Sequence, residues 1–175
     1  RSIEVVDTLA ASLGEGMLVY KALKKKSEGA SLDEVHSWLM ENRLHLCHYF
    51  TVDDLHFLHR GGRVSKTAAV VGTMLGIKPV LHVDNEGHLI PLTKVRGRKQ
   101  SLLKLVDYME ETVGDYKNDI IFISHGDCLQ DAQFVADEVK KRFGIENFVM
   151  NYVGPTIGAH SGPGTVALFF LGKKR

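Results

Sequence analysis

A chain of 175 residues has the length of one domain able to bury a substantial apolar core. Its 44% apolar and 25% charged residues are ordinary for a globular protein, and a net charge of +1 lacks the basic excess of a general nucleic-acid binder. No apolar run approaches the ~20 residues of a membrane span, and Cys47 and Cys128 lie far apart without C-x-x-C spacing, which favours a reduced, cytoplasmic setting.

The chain opens with Arg1 and enters an apolar run at once, so Ile3 to Val6 is predicted as a short strand, a pattern expected of a part of a longer protein. Thr8 or Ser12 is placed to cap a helix whose apolar positions Met17, Leu18, Ala22 and Leu23 recur at helical spacing and which Gly29 stops. Ser31 and Glu34 have the spacing of a capping box, opening a second helix with Val35, Trp38 and Leu39 as its buried stripe. His45 to Thr51 has strand composition. Asp53-Asp54 then starts a short helix that halts at Gly61-Gly62, and Ser65 is placed to cap another over 66–75.

Pro79 to Val83 and His88 to Val95, joined by Asn85-Glu86-Gly87, read as a hairpin. Lys99 to Val113 is an amphipathic helix, and Asp119 to Ser124 an apolar run suited to a strand covered on both faces. A helix over Leu129 to Phe143 and strands at Phe148 to Val153 and Thr165 to Leu171 complete the chain. The expected fold is α/β, a sheet of mixed direction layered with helices.

Two segments stand out chemically. Gly61-Gly62-Arg63-Val64-Ser65 and Gly158-Ala159-His160-Ser161-Gly162-Pro163-Gly164 each set one potentially cationic side chain among glycines and hydroxyls. Arginine grips a carboxylate or phosphate through paired hydrogen bonds, and glycine lets backbone approach a ligand closely. Arg63 is either a cleft residue or a solvent-exposed arginine after a helix stop. His160 is either a donor or proton acceptor for an anion, or a loop residue that ties down glycine turns. The pairs His45/His48 and His56/His59 raise a metal site, but acidic or cysteine partners at ligand spacing are missing, so surface histidines are expected and no cofactor is called for. Lys94, Arg96, Arg98 and Lys99 form a basic turn, either a solvated loop or a docking patch for an acidic partner. Ser124-His125-Gly126-Asp127, at the end of an apolar strand, resembles an active-site edge in α/β proteins, with a structural turn as the simpler reading.

Several of these segments together resemble the DegV family. Val6-Asp7-Thr8 followed by Ala11 to Gly16 is similar to its V-D-S-x-x-x-S-x-G-x-G segment, and Asp54 to Ser65 to its D-L-x-x-L-x-x-G-G-R-[IV]-S motif. Gly76 to Leu81, Lys94 to Gly97 and Gly158 to Gly164 match further family segments in the right order. The resemblance implies a bacterial fatty-acid-binding protein that carries a long-chain acid as the non-catalytic subunit of a fatty acid kinase, presenting the carboxylate to a separate ATP-using partner. It places Arg63 and His160 at the head group, with Gly62, Ser161 and Gly158 beside them. It also implies that residues 1–175 are the C-terminal α/β domain of a two-domain protein. An N-terminal domain would complete the site, and without it the domain's bare face would invite self-association. Two other functions remain open, a phosphotransfer protein with His160 as carrier and an interaction domain working through the basic turn.

Overall fold

The computed structural model describes residues 2–65 and 76–175. Six strands form one sheet in the order β3-β2-β1-β6-β4-β5, where β1 is Leu46–Thr51, β2 Ile77–Val83, β3 Leu89–Arg96, β4 Ile121–His125, β5 Phe148–Tyr152 and β6 Val166–Leu171. Only β4 and β5 run parallel; all other neighbours are antiparallel. The mixed α/β fold expected from the sequence is therefore present.

Strand alternation divides the core into two layers. From β1, Cys47 and Tyr49 face α4 (Arg98–Thr112) and α5 (Leu129–Phe143), packing with Leu105, Met109, Val135 and Val139. Leu46 and Phe50 face the other way, toward α1 (Leu13–Ser27) and α3 (Leu55–Arg60), packing with Met17, Leu18 and Leu58. β4 is buried along its whole length, as its apolar run predicts. The β4–α5–β5 unit is the strand–helix–strand crossover that a parallel pair requires.

The helix termini follow ordinary capping chemistry. Ser31 accepts from the Glu34 amide while Glu34 accepts from the Ser31 amide, which completes the predicted capping box of α2 (Leu32–Asn42). Asp54 caps α3 by accepting from the His56 amide at 2.8 Å. Lys21 and Lys24 of α1 both reach Asp119 ahead of β4, at 2.6 and 2.7 Å, and hold its carboxyl down at about 2. Asp119 is about half exposed, so Asp119→Asn is expected to cost only about 0.5–1 kcal/mol in urea unfolding, and less in 1 M salt.

Four expectations are corrected. Residues 3–6 form no strand: Ile3 and Val5 are 83% and 82% exposed, and no ladder pairs them among the described residues. Ser12 precedes α1 but caps nothing, because its hydroxyl donates to Ser124 instead. The predicted buried stripe of α2 is only partly covered, with Val35, Trp38 and Leu39 half-buried. His160 lies on a helix, α6 (Pro155–Ser161), where a loop was read. The helix read over 66–75 and capped by Ser65 lies outside the described residues.

Candidate functional site

The two glycine-flanked segments meet at one end of the sheet. β1 and β6 are antiparallel neighbours with Thr51 opposite Val166, so the chain leaving β1 and the chain entering β6 lie side by side. The first runs into α3 and the second arrives from α6, and these two short helices pack together.

α3 ends in a Schellman motif. The Gly62 amide donates to His59 O at 2.9 Å and the Arg63 amide to Leu58 O at 2.8 Å, with Gly62 at φ 73. The motif fixes the backbone of Arg63, whose guanidinium donates to Gly61 O. α6 ends at Gly162, whose φ of 79 and ψ of 174 suit only glycine. The loop beyond is fastened by the Gly164 amide to Gly126 O at 2.7 Å and the Gly126 amide to Thr165 O at 2.8 Å.

Most of these glycines make room for protein rather than for ligand. A β-carbon at Gly162 would lie 2.6 Å from Cδ2 of Phe57, and one at Gly164 2.6 Å from Cγ of Asp53. One at Gly61 would fall onto Nδ1 of His160. Glycine richness here is the means by which α3 and α6 come close enough to share a site.

Between them and the sheet lies a cavity of about 190 Å³, lined by Arg63, His160, Ser161, Ser12, Ser124 and His48 among polar residues, and by Phe50, Leu58 and Ile157 among apolar ones. Arg63 is exposed and His160 half-buried at its rim. Nδ1 of His160 is enclosed and has no hydrogen-bond partner. Ser161 donates to Ile157 O at 3.0 Å, which engages its proton within α6. Of the residues expected around an anion, the fold thus brings together Arg63, His160 and Ser161. Gly62 and Gly158 do not line the cavity; Gly158 accepts from the Gly162 amide within α6.

The basic turn divides. Lys94 and Arg96 are exposed on β3, an edge strand, and Lys99 is exposed with its ammonium over the Phe134 ring. Arg98 turns inward, donating to Asp131 at 2.8 Å and to Gly164 O at 2.6 Å, so it braces the loop behind the cavity. His125 fits the structural turn that was the simpler reading of Ser124 to Asp127: it is 2% exposed and accepts from the Cys128 amide.

Of the two histidine pairs, His56 is exposed as expected and His48 departs from expectation. His48 is no surface residue: it is 6% exposed and lies on the cavity wall, because β1 is a central strand with both faces covered. Among the described residues, Asp84, Glu86 and His88 are the side chains grouped closely enough to hold a cation. They sit on the β2–β3 turn, where Asp84 is already accepting from the Glu86 and His88 amides at 2.9 Å each. Both cysteines are free thiols, and burial pushes Cys47 up to about 12, which makes it a poor nucleophile.

Sequence reasoning missed His48 and Ser12 as cavity residues, and it read Ser124 as part of a turn ending β4. Ser12 and Ser124 are 112 positions apart, yet joined by a 3.0 Å hydrogen bond. Nothing short of the fold reveals that pairing.

Comparison with known proteins gives a consistent answer. A family model described as an uncharacterised protein of the DegV family matches residues 1–173. A DegV domain-containing protein of Clostridium perfringens is 46% identical over 170 residues, covering 97% of this chain and 58% of that protein. Among solved structures, a fatty acid binding DegV family protein from Streptococcus agalactiae is 31% identical with a TM-score of 0.85, over 99% of this chain and 61% of that one. The Streptococcus pneumoniae fatty acid kinase B3 protein, loaded with linoleic acid, has a TM-score of 0.89 at 21% identity, over 97% of this chain and 60% of that one; at that identity the likeness shows the fold. The chain spans about three fifths of the length of these relatives. With nearly its whole length matched by the family model, this chain belongs to the DegV family.

Proposed function

We propose that this chain is part of a protein that binds a long-chain fatty acid and presents its carboxylate to a separate kinase in the cytoplasm. The observation that carries this is convergence. Arg63 and His160, from opposite ends of the fold, line one cavity, with the His160 ring seated against Gly61 at its rim. Arg63 would supply a paired, charge-assisted grip on the carboxylate and His160 a second donor. The S. agalactiae relative, described as fatty acid binding, supports the ligand class, and the kinase B3 protein of the same fold supports the partner.

Magnitudes decide what this chain can do alone. At roughly 30 Å³ per water-sized group, about 190 Å³ has room for about six heavy atoms. A carboxylate fills about three of those, and burying about three methylenes beside it gives ~2.4 kcal/mol, less than the least that association costs, whereas about 15 give ~12 kcal/mol. The bulk of the acyl chain therefore needs further protein. We propose that the remaining two fifths of the family's length supplies it, as the N-terminal domain that the resemblance implies. The apolar groove between α1 and α2, with Val19 53%, Leu23 60% and Leu32 47% exposed, is a face suited to such a neighbour.

Lys94, Arg96 and Lys99 are the cations we propose for docking the kinase; Arg98 is committed inside the domain. A phosphocarrier role for His160 is disfavoured at Nδ1, because the backbone of Gly61 lies against that atom.

The test is lipid extraction and mass spectrometry of the full-length protein. Wild type is expected to carry one fatty acid per chain, and residues 1–175 alone much less. Each charge-assisted bond contributes ~1.5–3 kcal/mol, so Arg63→Ala in the full-length protein is expected to weaken binding by roughly 10- to 100-fold. Undiminished lipid and undiminished acyl-phosphate formation in that variant would remove Arg63 from the site.

A further inference from the structure

His48 projects from the middle of β1 toward the α1 side of the sheet. Its ring is flanked by Phe169 and Phe50, with centroids 4.5 and 5.6 Å away. It lines the same cavity as Arg63 and His160 and is 6% exposed. Its Nδ1 is enclosed without a partner, and among the described residues no hydrogen bond reaches this ring. The enclosed Nδ1 is shut off from the cavity, so Nε2, which is neither enclosed nor paired, is the ring nitrogen left for a guest's polar atom.

The chemistry of the guest atom follows from the state of the ring. Burial drives its pKa down to about 3, with Arg175 and then His82 adding to the effect, so the imidazole is neutral near pH 7. A neutral imidazole offers one donor and one acceptor nitrogen. A carboxylate suits it poorly, since it accepts only and would prefer a cationic donor. A hydroxyl suits it, because it donates and accepts. The same cavity wall has further polar capacity: Ser12 donates to Ser124 at 3.0 Å, and the fully buried Ser124 hydroxyl has no acceptor of its own among the described residues. A plain hydrocarbon segment would leave all of this unpaired.

We infer that His48 is a second ligand-binding residue of this cavity, taking a hydroxyl that the bound acid carries near its carboxyl end. The inference rests on the fatty-acid function proposed for the site, with the carboxylate at Arg63 and His160. The cavity has room for about six heavy atoms, so the hydroxyl falls within the first few carbons. The ligand class is a hydroxylated long-chain acid, such as a 3-hydroxy acid.

The experiment measures the affinities of the full-length, delipidated protein for 3-hydroxyhexadecanoic acid and hexadecanoic acid, in wild type and His48→Phe. A site built to pair a hydroxyl rejects the analogue lacking it. Wild type is therefore expected to favour the hydroxy acid by about tenfold or more, and His48→Phe to bring that ratio to about one or below. A wild-type ratio near one with hexadecanoic acid bound overturns the inference and leaves the fatty-acid function standing, as does a preference that survives in His48→Phe. Failure of wild type to bind either acid overturns the fatty-acid function itself. Thermal unfolding of both proteins distinguishes an altered ratio from a collapsed cavity, since misfolding lowers both affinities and the melting temperature together.

Discussion

Gly162→Ala is expected to lose roughly 2–4 kcal/mol of folding stability. Its φ of 79 with ψ of 174 is a conformation that side-chain-bearing residues avoid. The added β-carbon would also meet the Phe57 ring, 2.6 Å from Cδ2 and 2.7 Å from Cγ, close to the root of that side chain. Four positions earlier, Gly158→Ala is expected to stabilise by about 0.4–1 kcal/mol, because that glycine lies inside a helix and its new carbon would meet only Val153 at an ordinary 3.6 Å. Urea unfolding of the two variants reads out both signs. If Gly158→Ala stabilised the fold yet abolished lipid binding, a ligand would have to approach that backbone after all.

Acid is expected to unfold this domain earlier than its carboxylates alone would dictate. His48 is neutral in the folded state, with its pKa lowered from 6.5 to about 3 chiefly by burial, then by Arg175 and His82. Above pH 6.5 neither state binds the proton and nothing is lost. Below it the unfolded chain takes up a proton that the folded chain refuses, so stability falls until the folded pKa is reached. Between pH 6.5 and 4.5 the loss is roughly 2–3 kcal/mol. His82 is shifted the same way, again mainly by burial, and adds to the slope. His48→Phe is expected to flatten most of this decline when unfolding free energies at pH 7 and pH 4.5 are compared. A wild-type curve flat over that interval would mean that His48 is solvated.

What the sequence revealed and what it hid separate along physical lines. β4, α4 and α5 were legible because each carries a long periodic or continuous apolar pattern, and α5 has the predicted bounds. α6 was not, because seven residues holding a proline and a glycine have little helix propensity and are helical only where α3 supports them. Ile3 to Val6 has strand composition, but a strand exists only when another pairs with it. The candidate site was half legible. Arg63 and His160 were flagged by their glycines, though for a reason that proved different: those glycines admit Phe57, Asp53 and the His160 ring itself. His48 was set aside as a surface histidine, since whether a strand residue meets water depends on what covers its face, which no local pattern records.

The β1–β6 ladder has a mechanical corollary. Arg63 and His160 are carried on segments that leave and enter neighbouring antiparallel strands paired from Leu46 opposite Leu171 to Thr51 opposite Val166. The six consecutive pairs fix the separation at which these two segments depart from the sheet. A guest held as proposed would then enter by threading lengthwise or after displacement of whatever covers the opening, with the two strand ends staying in place.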